Sequence, residues 1–209
     1  MYKDRLKVLL RLLLILALIQ LIRAAAEYAA FSLLGREETV DYAVRTCTLM
    51  ILTAAGLIIA RKNNIELSVF PQKRLWLYGI FTVITLGLMA SGLFFGRITV
   101  MSILTLFYGC IITPVFEELL FRGFVWRELS SAFSKQWQVY LICAALFALW
   151  HFGYADTIAA RTNGNLGFIL VNKALIGLVY GLIVGFARWK TGNCFSSMLL
   201  HAAMNVFGR

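Results

Sequence analysis

Of the 209 residues, 61% are hydrophobic and only 14% charged, and the mean hydropathy is +0.81, a balance that excludes a soluble domain with a polar exterior. The formal net charge is +10, but the lysines and arginines stand at the ends of apolar runs and form no basic stripe, which excludes a nucleic-acid footprint and marks them as topology signals. Cys47, Cys110, Cys143 and Cys194 lie in or beside apolar runs without CxxC or other ligand spacing, so they read as small buried hydrophobes and not as a disulfide framework or metal site.

No period-2 barrel pattern punctuated by turns appears, and backbone satisfaction in lipid then leaves an all-α transmembrane bundle. The first apolar run follows Met1-Tyr2-Lys3-Asp4-Arg5 and continues past the length of a signal peptide's core without a persuasive cleavage site, so it is read as a retained span. A span needs roughly 20 apolar residues, and on that ruler the candidates run from about 8 to 34, 42 to 60, 75 to 95, 98 to 128, 136 to 153, 167 to 187 and 192 to 207. That predicts seven spans, or eight, in a single membrane domain over residues 1–209 without linker or repeat. The fourth run is too long for a perpendicular helix and contains Pro114, which predicts a kink or tilt.

The connections alternate in charge. Lys3, Arg5, Lys7 and Arg11 open the chain; Glu37, Glu38 and Asp41 follow; then come Arg61, Lys62, Lys73 and Arg74. Arg97 and Asp156 with Arg161 mark sparse loops, and Arg127 with Lys135 and Arg188 with Lys190 mark basic ones. The positive-inside rule predicts a multi-pass integral membrane protein with a cytoplasmic N-terminus and, for an odd span count, an external C-terminus.

Polar residues within the spans need a reason. Arg23 and Glu27, at i, i+4, neutralise each other on one helical face and read as a local ion pair; Arg45 reads as an end-of-span charge and Lys173 as a snorkelling one. Phe116-Glu117-Glu118-Leu119-Leu120-Phe121-Arg122 is different, because two adjacent carboxylates in an apolar run require compensation. At about 100° per residue, Glu118 and Arg122 lie about 40° apart and Glu117 about 140° from Arg122. Glu118 is therefore assigned to Arg122, and Glu117 is left facing another surface, available as a base. The only two histidines join it: His151, ending Phe147-Ala-Leu-Trp-His151, and His201, which shares a helical face with Asn205. An imidazole N–H and a carboxamide N–H at that spacing could converge on one oxygen, as an oxyanion hole requires. At about 1.5 Å per residue, Glu117 and His201 lie about 16 and 13 Å from their basic ends, whereas His151 lies about 22 Å away, several ångströms too far.

In this order the residues resemble the CPBP family of intramembrane endopeptidases, which includes CAAX proteases and bacterial Abi proteins. The pattern EExxxR, FxxxH, HxxxN is met by Glu117, Glu118 and Arg122, then Phe147 and His151, then His201 and Asn205, within a core over 98–207. The resemblance implies a metal-independent glutamate protease acting on a peptide or protein tail at the bilayer, with no cofactor. In it Glu117, assisted by His151, activates water, His201 and Asn205 stabilise the oxyanion, and Glu118, Arg122 and Phe147 orient the site. Such chemistry requires a wet cavity, expected to open to the cytoplasm or sideways to lipid. Three other readings stay open: zinc held by Glu117, His151 and His201, a non-proteolytic immunity or scaffold protein, and a proton-relaying transporter.

Overall fold

The computed structural model describes residues 2–94, 98–162 and 164–207. Arg97, one of the loop markers, lies outside the described residues, as do the side chains of Lys3 and Arg161. Among the described residues the fold is all-α: α1 (Tyr2–Leu34), α2 (Glu38–Lys62), α3 (Leu75–Phe94), α4 (Val100–Phe107), α5 (Thr113–Glu118), α6 (Trp126–Ala132), α7 (Gln136–Trp150), α8 (Ala155–Arg161), α9 (Leu166–Thr191) and α10 (Cys194–Phe207). Five stretches are long and apolar enough to cross a membrane: Asp4–Leu34, Glu38–Lys62, Val100–Ala132, Gln136–Ala160 and Leu166–Thr191. The other two expected spans are shorter apolar helices, Leu75–Ser91 and Cys194–Phe207; by length and composition alone the described residues contain five candidate spans, and the expected count of seven or eight is not confirmed.

Burial is inverted relative to a water-soluble protein. On α1, Leu14, Leu21 and Leu33 are 71%, 67% and 85% exposed, while Arg23 and Glu27 are 1% and 2% exposed. Lipid solvates leucine as well as the interior does, so only the charged groups must turn inward.

Local chemistry sets the helix ends. Thr99 and Ser102 form a reciprocal capping box that starts α4. Asn165 caps α9, which stops at Gly192 with φ +74°, a conformation suited to glycine. The first N–H groups of α10 have no intrahelical partner; Cys194 and Phe195 donate instead to the carbonyls of Ser68 and Val69, and Ser196 to the Asn193 side chain. Arg5 donates to the Ala132 carbonyl, Arg11 pairs with Glu128 and Arg188 donates to the Arg122 carbonyl. These contacts gather the start of α1, the end of α6, the 63–74 loop and the α9–α10 turn at one end of the bundle, where most of the basic residues lie.

The span from Val100 to Ala132 is interrupted twice by π-helical turns, Tyr108–Ile112 and Leu119–Val125, which bracket Pro114 and the two glutamates. In the first turn Thr113 N–H bonds to the Tyr108 carbonyl, five residues back. The next bond in that register would run from Pro114 to the Gly109 carbonyl, and proline has no N–H to give. The freed carbonyl accepts from Asn205 Nδ2 at 2.7 Å instead. The expected break at Pro114 is therefore a change of helical register, and its vacant acceptor ties α10 to the span that bears the glutamates.

Helix α9 packs closely along α7 through Gly177, Gly181 and Gly185, spaced four apart. A Cβ at Gly181 would lie 3.2 Å from the Ala144 backbone, and one at Gly185 3.1 Å from the Tyr140 ring. Small residues at this spacing let backbones approach where lipid offers no hydrophobic drive for association.

Candidate active site

Glu117 and Glu118 occupy the short helical segment between the π turns and are 2% and 0% exposed. Arg122 Nη1 lies 3.2 Å from Glu118 Oε1, its Nη2 donates to the Gly181 carbonyl at 3.0 Å, and its guanidinium stands 4.4 Å from the centre of the Phe147 ring. His201 Nδ1–H donates to the same Glu118 oxygen at 2.8 Å. Glu118 thus binds Arg122 on its own helix and His201 on α10.

Glu117 turns the other way. Its Oε1 accepts from the Tyr154 hydroxyl at 2.9 Å, and its Oε2 lies 4.0 Å from His201 Nε2. The Tyr154 oxygen in turn accepts from the indole N–H of Trp150 at 3.0 Å. The EExxxR pattern holds no sign of Tyr154. The one trace of it in the sequence is a tyrosine three residues beyond His151, which comes within reach because α7 ends at Trp150 and tightens into a 3₁₀ turn, His151–Tyr154.

His151 sits at the start of that turn. Its Nδ1 is 2.8 Å from the Phe147 carbonyl, which can only accept, so Nδ1 carries the proton and the lone pair of the neutral ring is on Nε2. The Phe147 ring meets His151 edge-on at a centroid distance of 4.9 Å and His201 at 6.1 Å, so one side chain packs against both imidazoles and against Arg122. Asn205 Nδ2 spends one hydrogen on Gly109 and retains the other.

Glu117, His151, His201 and Asn205 line one cavity of about 470 Å³. Its wall includes Arg45, Thr157 and Lys173, so it lies toward the end of the bundle opposite the basic loops. His151, expected from its depth along the helix to lie several ångströms too far out, nonetheless lines the same cavity, from the turn that follows α7. Arg45 is a surprise: it is 3% exposed and forms part of the cavity wall, with Nε 3.1 Å from Asp41 Oδ2, an ion-pair distance without hydrogen-bond alignment. Among the described residues no group of three or more His, Cys, Asp or Glu side chains is arranged to hold a metal ion.

The glycine seam supports the site directly. A Cβ at Gly177 would come 2.7 Å from His151 Nδ1 and 2.9 Å from its Cε1, so Gly177→Ala must displace the ring from its bond to Phe147. Activity is expected to fall about 10-fold or more, with a stability cost of about 1–3 kcal/mol. Gly185→Ala, on the same helix face beside Tyr140, is the comparison: it is expected to cost similar stability and leave turnover per folded molecule unchanged.

A family model described as type II CAAX prenyl endopeptidase, Rce1-like, matches residues 98–207, the stretch running from the start of α4 to the end of α10. No curated protein and no solved structure matches the chain. The matched stretch contains all seven motif residues and exceeds half of the sequence, and the chain therefore belongs to the Rce1-like family of type II CAAX prenyl endopeptidases, which are membrane endopeptidases.

Proposed function

We propose that this protein is an intramembrane endopeptidase that cleaves a peptide bond in a membrane-associated peptide or protein tail without a metal ion. The observation that carries the reading is the meeting of Glu117, His151, His201 and Asn205, from separate parts of the chain, around one cavity inside an apolar bundle. Glu117 is the general base for the attacking water, and Tyr154 holds one of its oxygens so that the other is presented to the cavity. His151 offers an unprotonated Nε2 to the same water. His201, oriented by Glu118 through Nδ1, and Asn205, through its remaining N–H, are the donors to the developing oxyanion. Arg122 and Phe147 hold Glu118 and the two imidazoles in place. The basic end of the bundle, with the N-terminus, faces the cytoplasm, and substrate enters from the half of the membrane where the cavity lies.

The test is peptidase profiling of purified protein against a diverse peptide library, with Glu117→Gln as control and a strong chelator as a separate arm. Selective cleavage that needs Glu117 and survives chelation is expected. Activity abolished by the chelator and restored only by zinc would overturn the mechanism, and a wild-type protein that cleaves nothing would favour a peptide-binding scaffold.

A further inference from the structure

Helix α1 lies outside the matched residues 98–207, yet it supplies the polar groups that hold the turn bearing His151 and Tyr154. A helix end leaves its last carbonyls without partners, and those of α7 and the following turn are satisfied one by one. The Phe147 carbonyl is taken by His151 Nδ1. The Trp150 carbonyl accepts from Gln20 Nε2 at 3.0 Å, and the Gly153 carbonyl from Arg23 Nη2 at 2.6 Å.

Arg23 is itself locked in place. Its Nε donates to Gln20 Oε1 at 2.7 Å, Nη1 pairs with Glu27 Oε2 at 2.7 Å, and Nη2 lies 3.4 Å from Asp156 Oδ1. The guanidinium carbon is 4.8 Å from the centre of the Tyr154 ring, whose hydroxyl reaches Glu117. The turn is pressed onto α1 so closely that a Cβ at Gly153 would overlap the Gln20 side chain. A self-contained ion pair with Glu27 would need none of these bonds across to α7.

We infer that Gln20 and Arg23 are positioning residues of the active site: they set the height of the 151–154 turn, so that the Tyr154 hydroxyl meets Glu117 and the His151 ring stays over the cavity. This rests on the reading of Glu117 as the base. The catalytic unit accordingly extends beyond the family-matched core to a helix without family motifs, through half-buried Gln20 and the buried pair Arg23 and Glu27.

The experiment compares Arg23→Ala, Arg23→Lys and Gln20→Ala with Leu12→Ala, which opens a cavity at a fully buried apolar position on the same helix. Two quantities are read: kcat and KM per folded molecule, on a peptide identified with the wild type, and amide exchange across residues 150–156, which needs no activity. Arg23→Ala is expected to lower kcat about 10- to 100-fold with KM within about 2-fold, to speed exchange in the turn, and to be partly rescued by Arg23→Lys. Gln20→Ala, which strands no charge, is expected to show a smaller loss of the same kind, so the proposal stays testable if Arg23→Ala does not fold. Leu12→Ala should destabilise without either effect. Turn exchange that rises no more than in Leu12→Ala, or a kcat per folded molecule equal to wild type, would overturn the positioning role. A wild type without Glu117-dependent cleavage would overturn the protease reading instead, while the exchange measurement would still report on the brace.

Discussion

Glu117→Gln is expected to reduce kcat by about 10³-fold, within the range ascribed to a general base, while the protein keeps its yield and thermal stability in detergent. Glutamine preserves the volume of the side chain and an amide oxygen that can still accept from the Tyr154 hydroxyl, so the Trp150–Tyr154–Glu117 chain survives in outline. What is lost is the second oxygen as a proton acceptor, the one that faces His201 Nε2 at 4.0 Å. Single-turnover cleavage of a library-selected peptide gives the rate, and melting in the same detergent tests the fold. Cleavage at the wild-type rate in Glu117→Gln would remove the base from the mechanism, whatever the family.

Arg122→Ala is expected to act on stability, by about 3–5 kcal/mol, the scale on which breaking a buried ion pair leaves a charge uncompensated. Both partners are 0% exposed. Removing the guanidinium also leaves the Gly181 carbonyl without its donor at the α7–α9 seam and empties the space beside Phe147. The measurement is the melting temperature and folded yield in a fixed detergent or nanodisc. A double replacement, Glu118→Leu with Arg122→Met, is expected to recover part of the stability, because it removes both charges, and none of the activity, because His201 loses its Nδ1 partner. Wild-type stability in Arg122→Ala would contradict the dependence of Glu118 on Arg122.

The Glu118–Arg122 contact was readable from spacing alone, since residues four apart share a helical face whatever the surrounding fold, and the π turn at Leu119–Val125 does not prevent it. The Asn205–Gly109 bond was not readable: it depends on a carbonyl freed by Pro114 and on α10 lying against that stretch of the chain. Tyr154 was missed because a motif search stops at His151, and only the 3₁₀ turn carries the hydroxyl back over Glu117. Arg45 was misjudged for the opposite reason. Its place near the start of α2 suggested an interfacial charge, and the packing of α2 against the middle of the chain buried it in the cavity wall.

Hydropathy determined the solvent, the missing period-2 pattern left helices as the way to satisfy the backbone in lipid, and the helical period paired Glu118 with Arg122 while turning Glu117 away. Spacing along one helix says nothing about what another helix brings opposite. The tertiary structure alone decided that Glu117 meets Tyr154, that His201 bridges toward both carboxylates and that α1 braces the turn above them, because those contacts join residues 37 to 130 positions apart and depend on how closely glycines let the helices approach.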